Sequence, residues 1–309
     1  MDLTVDLAPR HPGGLLLQNP VMTSSGTFGY GTEYADVVDI RRLGAIVTKG
    51  VTLRPRRGNP QPRLVETEAG VLNSVGLENI GVDEVVRDKA PVWATWATPV
   101  VVNVAGETCD EYVEVARKLE GIRGISALEL NVSCPNVSSG GIEFGLYAEP
   151  AAKLTSAVKQ ATGLPLMVKL TPNACDLVAV AVAVEEAGAD ALCLINTVQG
   201  MAINVDTRRP ALGNVVGGLS GSAIRPVAVY AVYRVAQAVR IPIVGCGGIF
   251  VARDALEFLF AGASGVEVGT ATMADPNACL KVVSGLEDYM RENRVRHITE
   301  LVGCALPAA

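Results

Sequence analysis

Two amides, a hydroxyl and a thiol crowd into six residues at Asn131-Val-Ser-Cys-Pro-Asn136. They follow the apolar run Ile125–Leu130, which reads as a buried strand. Pro135 should end that strand, because it lacks a ladder donor and restricts the residue before it. A thiol there could act as a general base if its pKa is lowered or if a firmly held substrate proton is acidic enough. Cys134 is thus the candidate catalytic group, and Gly140-Gly141 supply backbone freedom for a loop over the site. A cysteine is more often a small buried hydrophobe, so its neighbours must carry the weight of this reading.

Two lysines close apolar runs, Lys49 in Ile46-Val-Thr-Lys and Lys169 in Met167-Val-Lys. They could snorkel from strand ends, form a Schiff base, or supply a fixed positive charge beside a flavin pyrimidine ring, where negative charge develops on reduction. Asn73, Asn131, Asn136 and Asn196 each offer a donor and an acceptor. Singly these amides suit turns and caps. Around one cavity they would suit a planar ring with alternating N–H and C=O groups.

The positioning elements recur. Eight short apolar runs, punctuated near their ends by a polar residue or glycine, span residues 20–26, 45–50, 100–106, 128–133, 166–170, 191–197, 243–248 and 265–270. Helical stretches fit between them at 110–119, 151–160, 175–187, 226–239 and 252–261. Buried parallel strands alternating with helices predict an α/β fold, a single (β/α)8 TIM barrel over residues 1–309. The long intervals after the second and sixth runs predict extra loops or hairpins over the C-terminal face, the charged, Pro-rich stretch 54–70 among them. Reactive groups of such a barrel lie at the C-terminal strand ends, which gathers Ser25, Lys49, Asn103, Asn131, Cys134, Lys169, Asn196 and Thr197. Gly247, Gly248, Gly269 and Thr270 end strands seven and eight, the usual phosphate site of the fold, where bare backbone N–H groups can surround an anion.

Composition excludes other classes. Hydrophobic residues make up 49% and charged residues 19% of 309, so a large core is available. A net charge of −6 with only the short cluster 54–57 of arginines gives no footprint for nucleic acid. Seven scattered cysteines without a C-x-x-C pair argue for a reducing compartment and against a zinc or iron–sulfur site, so no metal is expected. Two histidines near opposite ends leave no material for a histidine triad. Neither a signal-peptide core nor a membrane-length apolar run is present, which predicts a cytoplasmic protein with no membrane contact.

Taken together, these stretches resemble the class I dihydroorotate dehydrogenases, flavin barrels of pyrimidine synthesis. The likeness is carried by residues 19–29, Thr48-Lys-Gly50, Gly58-Asn-Pro-Gln-Pro-Arg63, Leu72-Asn-Ser-Val-Gly-Leu77, 131–136, Ile195-Asn-Thr197, Gly217-Gly-Leu-Ser-Gly221 and 245–248. The resemblance implies that Cys134 takes the C5 proton of dihydroorotate while C6 delivers hydride to FMN N5. It implies substrate contacts from Lys49, Asn73, Ser74, Val75, Gly76, Leu77, Asn131, Asn136, Asn196 and Thr197. FMN would be held by Ser25, Lys49, Gly50, Asn103, Asn131, Lys169, Ile195, Gly221, Gly247, Gly248, Gly269 and Thr270. Gly200-Met-Ala-Ile-Asn-Val-Asp-Thr-Arg-Arg209 is similar to the NAD-linked branch, whose FMN chain, a homodimer, pairs with a subunit carrying FAD and a 2Fe-2S cluster. The alternatives are the fumarate-linked homodimeric branch, a flavin barrel acting on a reduced pyrimidine base, and a non-redox phosphate-binding barrel using Lys169 as a Schiff base.

Overall fold

The computed structural model describes residues 1–133, 135–136 and 142–307. Eight parallel strands form its centre: β1 (Val21–Thr23), β2 (Ile46–Val47), β3 (Val100–Val104), β4 (Ala127–Asn131), β5 (Leu166–Leu170), β6 (Ala191–Leu194), β7 (Ile243–Cys246) and β8 (Gly265–Val268). They hydrogen-bond in the order β1-β8-β7-β6-β5-β4-β3-β2. The ring closes between β1 and β2. There Met22 bridges Ala45, Gly44 N donates to Val21 O at 2.8 Å, and Val47 N donates to the Thr23 hydroxyl at 3.0 Å. All eight predicted strands are present, but most end one to three residues earlier than the apolar runs. The terminal polar residues and glycines leave the ladder to line a cavity.

The strands are short and, except for Asn131 at the end of β4, buried because both faces are covered, inward by barrel side chains and outward by helices. The main helices are α1 (Cys109–Leu119), α2 (Ala148–Lys159), α3 (Leu177–Glu186), α4 (Arg225–Ala236), α5 (Ala252–Phe260) and α6 (Ala278–Glu292). Thr108 caps α1 by accepting from Glu111 N, and Asp176 caps α3 by accepting from Val178 N and Ala179 N. The first five helices lie where helical periodicity placed them. The helical run over 82–93 and α6 were not anticipated.

Gly285 sits inside α6, where glycine weakens a helix. A Cβ there would come within 2.5 Å of Ala252 Cβ on α5, so the glycine allows the two helices to touch. Both long excursions become β-structure over the C-terminal face. Strands Leu64–Thr67, Gly70–Asn73, Gly217–Ser220 and Val198–Gly200 make one antiparallel sheet, with Gly218 registered on Asn73. The excursion after β2 and the one after β6 therefore form a common roof. A second small hairpin pairs Ile203–Asn204 with Arg209–Pro210.

Close approach at Gly285 gives a direct test. Ala for Gly in a helix interior ordinarily stabilises by about 1 kcal/mol, whereas forcing a methyl into a packed contact costs about 1–3 kcal/mol. Gly285→Ala should therefore lower the thermal midpoint, and adding Ala252→Gly should restore it. A single variant that melts above the parent would show that α5 and α6 separate without cost.

Candidate active site

Beneath the roof lies a cavity of about 610 Å3 at the C-terminal strand ends. Every barrel strand or its following loop reaches it: Ser24 and Ser25 after β1, Lys49 and Gly50 after β2, Asn103 on β3, Asn131 on β4 and Lys169 on β5. Ile195, Asn196 and Thr197 follow β6, Cys246 ends β7 with Gly247-Gly248 after it, and Gly269-Thr270 follow β8. The roof adds Asn73 to Leu77, and Gly221 enters from the turn before α4. The site residues expected from sequence whose side chains are described thus line one cavity. For Asn136 the backbone alone is described. Its backbone pairs with Ile142 in a two-residue ladder beyond β4. Cys134 and Gly140-Gly141 lie outside the described residues.

The floor is charged and dry. Lys169 does not snorkel: 3% of its side chain is exposed, and its Nζ lies 2.5 Å from Glu267 Oε2 and 3.6 Å from Glu129 Oε2. Ser24 Oγ donates to Glu267 at 2.9 Å, and Nζ reaches Ser24 and Ser25 hydroxyls at 3.3 and 3.4 Å. Burial alone would pull the Lys169 ammonium down, but the thiols of Cys193 and Cys246 and the two carboxyls hold it well above the usual lysine range. Burial likewise pushes Glu267 up, and the Lys169 ammonium with three hydrogen bonds outweighs it, holding that carboxyl below its ordinary range. A Schiff base needs a neutral amine, so this lysine suits a fixed charge better than a nucleophile.

Cys193, Cys246 and Glu267 bring three ligand-type atoms within 4.8 Å of one another. The Lys169 ammonium is already seated on that carboxylate, and its charge opposes a metal ion there.

The walls are built of interlocked amides. Asn131 Oδ1 accepts from Ser133 N at 3.1 Å and from Asn196 Nδ2 at 3.3 Å, while Asn196 Oδ1 accepts from Thr197 N at 2.8 Å. Tyr112 Oη donates to Asn131 O at 2.7 Å, bracing the end of β4. In the roof, Asn73 Nδ2 donates to Gly218 O, and Asn59 Nδ2 holds the Ser74 hydroxyl. Lys49 is looser, 28% exposed with Glu78 at 4.0 Å, and Glu78 is itself paired to Arg63 at 3.0 Å.

Several buried polar atoms lack a hydrogen-bond partner among the described residues, Asn103 Oδ1 and Ser133 Oγ at the cavity among them. Asn103 is 1% exposed and its Nδ2 donates to Glu129, but its Oδ1 has no partner among the described residues. A buried acceptor at a cavity wall calls for a donor on whatever fills the cavity. Near the last two strands Gly247 and Gly248 have φ of 130° and 75°, and a Cβ on Gly248 would meet Gly221 O at 2.8 Å. This bare backbone at the approach to α4 could cradle a phosphate. A ring with an N–H edge, bearing a phosphate tail, fits these features, and FMN is such a molecule.

The dihydroorotate dehydrogenase family model matches residues 11–290. The chain belongs to the dihydroorotate dehydrogenase family. It is 50% identical over 305 residues to the catalytic subunit of dihydroorotate dehydrogenase B (NAD(+)) of Geotalea uraniireducens, covering 99% of this chain and 98% of that one. The subunit of the same name from Desulforudis audaxviator is 55% identical over 292 residues, covering 94% and 95%. A crystal structure of the Eimeria tenella DHODH in complex with ferulenol has the same fold, with a TM-score of 0.80 and 20% identity over 98% of this chain and 88% of that chain.

Within this member of the family, sequence reasoning missed Glu129, Glu267, Ser24 and Cys246. The signal was present: Leu128-Glu-Leu130 and Val266-Glu-Val268 each place an acid in the middle of a buried strand, which requires a partner.

Removing that partner tests the floor. Lys169→Met should destabilise the fold by about 3–5 kcal/mol, because it leaves buried carboxylate charge without a cation. The sign with pH follows. In the parent, the depressed Glu267 contributes stability that is present above the ordinary carboxylate range and lost as pH falls through its folded value. Without the ammonium that pKa rises, so the variant is penalised increasingly as pH climbs from 4 to 8. Urea denaturation across that range should show the gap widening; a constant gap would contradict the charge pairing.

Proposed function

We propose that the chain is the catalytic subunit of an NAD-linked dihydroorotate dehydrogenase, oxidising (S)-dihydroorotate to orotate in de novo pyrimidine biosynthesis. The observation that carries this reading is a buried Lys169 ammonium, held by Glu267, in the same amide-walled cavity as Asn103 Oδ1, an acceptor with no partner among the described residues. FMN, when bound there, supplies the two-electron acceptor that takes hydride from substrate C6. The chain's own residues do the rest.

In this reading, Ser25, Gly50, Asn103, Asn131, Lys169 and Ile195 hold the ring. Gly221, Gly247, Gly248, Gly269 and Thr270 would present backbone N–H groups to its phosphate. Lys49, the loop from Asn73 to Leu77, and Asn131, Asn136, Asn196 and Thr197 orient the substrate. Lys49 is the natural partner of the orotate carboxylate, since it is the more exposed of the two cavity lysines and only loosely paired. Cys134 removes the C5 proton. Its neighbour Ser133 lines the cavity, which supports a base at that end of β4.

The relatives' names, with NAD(+) and a catalytic subunit, support a separate electron-transfer subunit carrying FAD and a 2Fe-2S cluster. Residues 1–309 would act as one FMN-binding domain, the chain as a homodimer, and the cytoplasm as its compartment. No helix among the described residues is long and apolar enough to cross a membrane.

Anaerobic addition of dihydroorotate to the purified chain should bleach a flavin spectrum. A chain that takes up no flavin even when FMN is supplied would overturn the reading. Cys134→Ser should keep flavin and orotate binding but reduce flavin at least a hundredfold more slowly at neutral pH, since general-base help contributes about 10²–10⁴-fold. Stopped-flow reduction at the parent rate would remove Cys134 from the mechanism.

A further inference from the structure

Three ionisable side chains meet inside the closed ring with almost no solvent to share. Glu129 and Glu267 are fully buried and Lys169 nearly so. With all three ionised the floor would carry a net charge of −1, which such an interior strongly disfavours. One added proton removes it.

Hydrogen bonding indicates where that proton sits. Glu267 receives Lys169 Nζ at 2.5 Å, Ser24 Oγ at 2.9 Å and Cys193 Sγ at 3.4 Å, three donors suited to an anion. Among the described residues, Asn103 Nδ2 alone donates to Glu129, at 2.5 Å on Oε1. Its Oε2 stands 3.6 Å from Nζ and has no hydrogen-bond partner among the described residues. Two facing carboxylate oxygens are both acceptors and cannot bond to each other; a proton on Glu129 turns the orphaned oxygen into a donor toward Glu267.

We propose that Glu129 and Glu267 form a one-proton carboxyl pair that positions Lys169, either one able to serve as its counter-ion, so that the cavity floor offers the cofactor a fixed ammonium at no net charge. This deepens the functional reading above and rests on it. Burial and the Glu267 carboxylate push Glu129 well above the ordinary carboxylate range, with Lys169 pulling the other way, while Glu267 is held low. Among the described residues, the remaining titratable groups facing the pair are the thiols of Cys193 and Cys246 on β6 and β7. Burial pushes Cys193 well up, and its hydrogen bond holds Cys246 down.

Interchangeability is the distinctive consequence. Glu129→Gln replaces a neutral acid by a neutral amide of the same shape. Glu267→Gln removes the like charge that keeps Glu129 protonated, so Glu129 ionises and takes over. In the double variant Lys169 faces no carboxylate, and burial then favours its neutral form. The positive charge that favours the electron-rich reduced state of a bound ring is lost only there.

Two measurements test the pair. The infrared spectrum of the full wild-type chain at pH 8, free of FMN, should contain a protonated-carboxyl C=O band that shifts in D2O. The band should vanish in both E129Q and E267Q, and persist in E143Q, which controls for the other carboxyl that burial raises. In FMN-loaded protein, each single variant should shift the oxidised-to-reduced ratio at a fixed potential less than threefold. The double variant should lower its midpoint by a tenfold or larger change in that ratio, about 30 mV for a two-electron couple. No band at pH 8, a band surviving in E129Q, or the full shift from E267Q alone would each overturn the proposal. The band is read without flavin, so a chain that binds none would defeat the functional reading and leave the pair standing. Should the double variant fail to fold, the wild-type and single-variant spectra still decide.

Discussion

Closure of the β-ring is the constraint on which the site depends. Two strands of two and three residues, β2 and β1, could not hold an edge alone. They are joined by one bridge, two backbone bonds and the Thr23 hydroxyl, which replaces ladder contacts with side-chain contacts to Val47. With the seam shut, all eight strands point their C-terminal ends at one volume. Residues from Ser24 to Thr270, far apart in the chain, then become neighbours around a single cavity.

The same closure makes the floor dry, and dryness raises the cost of every charge within it. That is why Lys169 is held by two acids rather than one, and why Ser24, Asn103 and Cys193 add hydrogen bonds around them. The roof works by a different principle. Its strands come from two excursions more than a hundred residues apart, and each is short. Their glycines allow the backbones to approach where a Cβ at Gly70 or Gly218 would collide with Ser220 or Thr197. Pairing gives each excursion the partner it lacks alone.

Much of this was legible in the chain. Continuous apolar runs ending in polar residues predicted all eight strands, because a parallel strand buried on both faces has no alternation to blur it. The lining residues followed from position alone: Lys49, Asn103, Lys169 and Gly247 lie where strands end, and the structure brings them together. Helix α6 escaped because Gly285 reads as a breaker until the contact with Ala252 is seen. The roof escaped in its details because its register is set by pairing between two distant excursions, which no local pattern records. The acids of the floor were the avoidable omission, since a glutamate flanked by leucines or valines in a buried strand already asks for a cation.

The two cavity lysines show how one residue type is put to different uses. Lys169 is fixed by a carboxylate at 2.5 Å and by surrounding hydroxyls, so little can move it and its charge is a permanent part of the floor. Lys49 has a glutamate at 4.0 Å that is shared with Arg63, and more than a quarter of its side chain is open to solvent. A loosely paired ammonium can swing to an incoming carboxylate without leaving an acid unpaired, because Arg63 retains Glu78. The rigid cation suits a resident group that must be held the same way in every turnover. The adjustable one suits a ligand that must enter, be gripped and leave, and so the division of labour follows from how firmly each lysine is already held.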